Sequence, residues 1–127
     1  MEYIHGVSKK PDADVDALLP LPPVTFHILV ALVDGERHGY AIIQDVEART
    51  EGELRMSAGT LYRSVARMVE QGLIAEVTPR RRTMNEDERR RYYRITSFGT
   101  AVARAEMRRL SQLIRLARAS GLTPETA

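Results

Sequence analysis

Arg63 and Arg67 stand four residues apart, and Thr60, Ser64 and Gln71 share their side of a stretch with helical spacing. Arginine forks pair with phosphate oxygens and guanine edges, and hydroxyls and amides bond to both. The set holds no acid and no large apolar group. Its chemistry is grip on a polyanion, not bond making. Other reactive sets are missing. There is no cysteine, hence no thiolate nucleophile or thiolate metal site. His5, His27 and His38 are scattered, and no Ser/His/Asp arrangement, paired-carboxylate motif, phosphate loop or metal spacing is present. Glu86-Asp87-Glu88 are neighbours on a loop, which seldom makes an ordered cation site. No enzyme, no cofactor and no metal are expected.

Those residues need a helix to present them. Ser57 is a suitable N-cap and Gly72 a suitable C′ residue. Between them Leu61, Val65, Met68 and Val69 form one apolar face, which predicts a helix over Ser57–Gln71. A polar helix face is ordinarily just solvated, so the neighbours decide. Upstream, Pro22-Pro23 opens an apolar helix over 24–33, expected to be buried all round. Glu36-Arg37-His38-Gly39 reads as a turn, and a second helix over 40–49 points Ile43 and Val46 inward. Helix, helix, short connection, helix is the order of a helix-turn-helix core. Downstream, Leu73, Ala75 and Val77 alternate with polar residues, as do Tyr93 and Ile95. Two strands joined by an arginine-rich tip are a wing. Arg80, Arg81 and Arg82 on that tip suit a phosphate backbone, each contact steepening the salt dependence of binding.

Net charge is only +2, but it is unevenly spread: residues 1–78 sum to −5, 79–96 to +4 and 97–127 to +3. Arginines number 17 against two lysines. No apolar run approaches the ~20 residues of a membrane span, and no signal peptide opens the chain, so a cytoplasmic protein is expected. The domain organisation expected is an arm over 1–20, partly disordered or with a helical turn near its end, a DNA-binding domain over 21–96, a long helix over 97–119 and a tail over 120–127. The fold class is mainly α with a small β-hairpin, a winged helix-turn-helix with a long C-terminal dimerisation helix.

Thr96 or Ser97 caps that last helix. Ala103, Met107, Leu110, Ile114 and Ala117 step 4-3-4-3 along it, a seam suited to a second copy of the chain. Phe98, Val102, Leu113 and Leu116 form a second seam, interrupted by Arg109, that can pack on the chain's own domain. Met107, Leu110, Leu113 and Ile114 serve either as dimer core, the reading favoured, or as the lining of a pocket for a small-molecule effector.

Four motifs in order, His38-Gly39-Tyr40, Gly59-Thr60-Leu61-Tyr62, Glu70-Gln71-Gly72-Leu73-Ile74 and Arg91-Tyr92-Tyr93-Arg94-Ile95-Thr96 with Gly99, resemble the PadR family of bacterial transcriptional regulators. The resemblance covers about residues 21–118 and is to the branch with a single C-terminal helix. It implies a homodimer that binds a pseudo-palindromic operator in double-stranded DNA and usually represses. By position Ser57, Thr60, Tyr62 and Arg63 fall in the family's recognition helix, and Tyr40 near where the family meets backbone phosphate. Tyr62 is expected to be partly a packing residue. Some members stack flat drugs on a tryptophan at the dimer centre, and this chain has none. The rival function is a winged helix that binds a protein instead of an operator.

Overall fold

The computed structural model describes residues 13–77 and 91–125. The first part of the expected arm and the wing tip, with Arg80, Arg81 and Arg82, lie outside the described residues. Residues 13–17 are helical and place Val15 in the core. Helices α1 (Pro23–Ala31), α2 (Gly39–Arg49), α3 (Ala58–Glu70) and α4 (Ser97–Ala119) follow, with strands β1 (Arg37–His38), β2 (Ile74–Val77) and β3 (Tyr92–Ile95). The sheet order is β1-β3-β2, both pairings antiparallel, with Arg37 opposite Tyr93 and Ile74 opposite Ile95.

Strand β1 corrects the turn expected at Glu36–Gly39. Two residues carry no readable period, and it is β3, more than fifty residues later, that makes them a strand. The same segment is tied by charge. Arg37 donates to the carbonyl of Ala31 at 2.7 Å and faces Asp45 at 3.6 Å, and Asp45 also receives Arg49 at 2.6 Å. His38 then caps α2, its Nδ1 accepting from the Ala41 amide at 3.1 Å. Its ring meets Tyr92 edge-on at 5.4 Å.

The core gathers Ile28, Leu29 and Leu32 from the α1 segment, Ile42 and Val46 from α2, Leu61 and Met68 from α3, then Leu73 and Val102. Helix α1 is not buried all round: Val33 is 61% exposed, and Phe26 and Val30 are half-buried. One domain of this size covers only one side of it. On α2 the inner pair is Ile42 and Val46, one helical turn apart, and Ile43 is half-buried at the flank. Val69, expected on the apolar face of α3, is 39% exposed, so that face is narrower than its sequence period. Thr96 is the cap of α4, its Oγ1 accepting from the Gly99 amide at 2.9 Å.

Helix α4 changes partner along its length. Its first half buries Val102, Ala103, Ala105 and Glu106. Ala103 thus sits in the chain's own core at 9% exposure instead of on a free seam. From Met107 onward the large apolar side chains turn outward, with Leu110 half-buried among them.

Glu106 is a buried acid at 3% exposure. Arg109 donates to its two carboxylate oxygens at 2.7 and 2.9 Å, and the Leu21 amide donates to Oε2 at 3.3 Å. The Arg109 hydrogen bonds hold this carboxyl below the usual range, against burial, which acts the other way. A depressed folded value means that the ionised form stabilises. That contribution is complete above the unfolded carboxyl value of about 4.3 and is lost as pH falls through the folded one. Glu106→Ala is expected to cost about 2 kcal/mol at neutral pH, chiefly by orphaning the Leu21 amide. In urea titrations the gap from wild type should shrink on acidification below about pH 4. A gap independent of pH would remove the ionised pair from the account.

Candidate nucleic-acid interface

Helix α3 starts where Ser57 leaves the extended connection. Its Oγ accepts from the Thr60 amide at 3.1 Å and bonds to the Thr60 hydroxyl at 3.1 Å. That connection is held by Thr50, whose hydroxyl donates to Val46 and accepts from the Leu54 amide. Gly52 at φ +83° and Glu51 at φ +53° make the reversal. With Leu61, Val65 and Met68 buried beneath it, α3 is fixed in rotation about its axis. Its outward side chains are thereby aimed.

They divide into two flanks. Tyr62 is 48% exposed and lies on the α2 side, its ring against the backbone of Gly39. A Cβ at Gly39 would fall 2.9 Å from Tyr62 Cζ and 3.0 Å from Leu61 Cδ2. The glycine of the His38-Gly39-Tyr40 motif and the tyrosine of the Gly59–Tyr62 motif are therefore one packing contact. Beside it Tyr40 is 59% exposed at the start of α2. Thr60, Arg63, Ser64 and Arg67 occupy the other flank and wall a crevice against the N-terminal end of α1. Sequence reasoning missed that crevice, because Thr25 and Val24 lie more than thirty residues before α3.

The described arginines fall into two groups, one paired with acids and one not, and Arg63 and Arg67 share the second with Arg94, Arg104, Arg108, Arg115 and Arg118. Arg37, Arg49, Arg55, Arg91 and Arg109 each face an acid within 4 Å. Arg63 and Arg67 have no acidic partner among the described residues. Free guanidinium forks next to exposed hydroxyls and phenols can take phosphate or base edges. Among the described residues no group of three or more His, Asp and Glu could hold a metal. No helix there is long and apolar enough to cross a membrane.

A second candidate surface lies at the far end. Met107 is 58% exposed, Leu113 54%, Ile114 55% and Leu116 56%, while Leu110 and Ala117 are half-buried. Met107, Leu110 and Ile114 form one wall of a cavity of about 480 Å³, and Phe26, Val30 and Val33 of α1 form the other. Leu113 is not part of that lining, which separates it from the other three residues expected to line an effector pocket.

A helix-turn-helix core, a strand pair after its third helix and a long C-terminal helix define a winged helix-turn-helix protein. Residues 28–105 match the transcriptional regulator PadR-like family, and the chain belongs to that family. Members of that family are transcriptional regulators, not enzymes. Uncharacterized protein X of Lysinibacillus sphaericus is 31% identical over 74 residues, 58% of this chain and 65% of that protein's own length. A transcriptional regulator from Clostridium thermocellum superposes with a TM-score of 0.64 at 25% identity, over 76% of this chain and 87% of that one. Bacillus subtilis PadR, solved in complex with operator DNA, shares the fold with a TM-score of 0.58 at 20% identity, over 69% of this chain and 48% of that one.

Proposed function

We propose that this regulator binds double-stranded operator DNA as a homodimer and represses. The observation that carries the proposal is the outer face of α3, where Arg63 and Arg67 stand without acidic partners beside Tyr62 and the Ser57 cap. The operator complex of Bacillus subtilis PadR supports it, since that fold carries the same elements. Two copies of α3 then enter successive major grooves about 34 Å apart, which calls for a pseudo-palindromic site. Tyr40 meets the backbone at the start of α2, and Arg80, Arg81 and Arg82 hold the flanking strand from the wing. Met107, Leu110, Ile114 and Ala117 provide the partner contact. In this reading the apolar groove is dimer core, and an effector would act by changing the separation of the two recognition helices.

The test is a fluorescence-polarisation titration with DNA from upstream of the chain's own gene, against scrambled DNA, at low and moderate salt. Tight, salt-sensitive binding to the first alone is expected. Arg63→Ala should weaken it by about 1–3 kcal/mol if the contact is bidentate to a base. Unchanged affinity would take Arg63 out of the interface. Binding to neither DNA would bring forward the protein-partner reading.

A further inference from the structure

The crevice between α1 and α3 is built for an anion on both walls. Helix α1 opens behind Pro22 with no side-chain cap and no acid in its first turn. The amides of Val24 and Thr25 have no acceptor among the described residues. Thr25 is 6% exposed and lines the crevice, and its hydroxyl makes no hydrogen bond among the described residues either. Among those residues that side chain has no partner, and the crevice it borders is the one place a partner can come from. It points to a group that arrives from outside. Across the gap stand the hydroxyl side chains of Thr60 and Ser64 and the unpaired Arg63 and Arg67. The space is about 190 Å³, and no acid lines it. Residues with free amides at a helix start, a hydroxyl and guanidinium groups around one space are the makings of an oxyanion site.

We propose that this crevice takes one phosphodiester group of the DNA backbone, held by the α1 amides and Thr25 from one side and by Arg67 and Arg63 from the other. The assignment rests on the DNA-binding reading above and adds α1 to the interface. Helix α3 would then be clamped between two backbone strands, one at Thr25 and the other at Tyr40 on the opposite flank. The clamp fixes the depth and register at which α3 meets the bases.

The substitution Thr25→Val separates this role from a structural one, because it should weaken binding without loosening the fold. Removing a hydroxyl with no protein partner should not lower the thermal midpoint of the free chain, whereas the loss of its bond to an anionic oxygen should weaken duplex binding about tenfold. The slope of log affinity against log salt should stay unchanged in Thr25→Val and fall by about two in Arg67→Gln, where each copy of the dimer loses a charge. The direct readout is amide-resolved NMR of the full chain with a short duplex and, separately, with inorganic phosphate. Duplex-induced shifts at Val24 and Thr25 are expected. Shifts along α3 that leave those two amides unmoved overturn the proposal. So does wild-type duplex affinity in Thr25→Val. A duplex that shifts nothing anywhere rejects the DNA reading itself. Saturable shifts with phosphate but not with the duplex would overturn the backbone assignment in favour of a free anion.

Discussion

Gly99→Ala is expected to destabilise the chain by about 3 kcal/mol, the upper end for forcing an atom into a packed interior. Gly99 lies in the first turn of α4, and its missing side chain is where the chain crosses itself. An added Cβ would press into the Leu73 carbonyl oxygen and lie 2.9 Å from its carbon and 3.1 Å from Ile95 Cγ1. Backbone cannot rotate aside as a side chain can. That carbonyl is also held in place, accepting from the Thr96 amide at 3.1 Å, while the Thr96 hydroxyl, 3.0 Å away, is shared with the Gly72 carbonyl at 2.6 Å. Relieving the clash means lifting α4 off the root of the wing and breaking both bonds. Gly59→Ala is the contrast. There the new Cβ meets only side-chain tips, Arg63 Nη1 at 3.4 Å and Ser57 Oγ at 3.9 Å, in the first turn of α3, so about 0.5 kcal/mol of stabilisation is expected. Urea unfolding of both variants checks the pair. A midpoint for Gly99→Ala equal to wild type would mean that α4 does not start on Leu73.

The same glycine shows what the sequence could and could not say. Gly99, Gly39 and Tyr62 are readable as motif residues from the sequence alone. Their reason, close approach of two backbone or ring surfaces, lies in the tertiary structure. Helix α3 was legible because its signals are local: a serine cap, a period of apolar residues and a glycine with positive φ at its end. The wing strands were legible from alternation. Strand β1 was not, since its identity comes from pairing with β3. Nor was the buried Glu106. An acid three residues before an arginine looks like surface helix charge, and only the Leu21 amide closing over it makes it interior. The crevice at Thr25 failed for the same reason. A threonine after two prolines reads as helix opening, and nothing local reveals that α3 passes in front of it.

The second large effect is expected at Ile114. Helix α4 spans 23 residues, roughly 34 Å, yet its own domain covers only the first half. Beyond that half, Met107, Leu113, Ile114 and Leu116 stand more than half exposed, and Val33 of the neighbouring α1 segment is 61% exposed. Each such side chain is worth about 1.5–3 kcal/mol when fully buried. A second copy that lays its α4 along the groove between α1 and α4 supplies that burial twice by symmetry. Ile114→Glu puts two charges into the proposed contact, one from each copy, and should dissociate the dimer at micromolar concentration. Sedimentation should show wild type at twice the 14.3 kDa chain mass and the variant at one. Because Ile114 is not core of the protomer, the variant should keep its helical circular dichroism. It also keeps α3 intact, so residual DNA binding should survive with about half the wild-type salt slope, one set of phosphate contacts instead of two. A wild-type chain that sediments as a monomer would refute the paired recognition helices and leave α3 to read a single half-site.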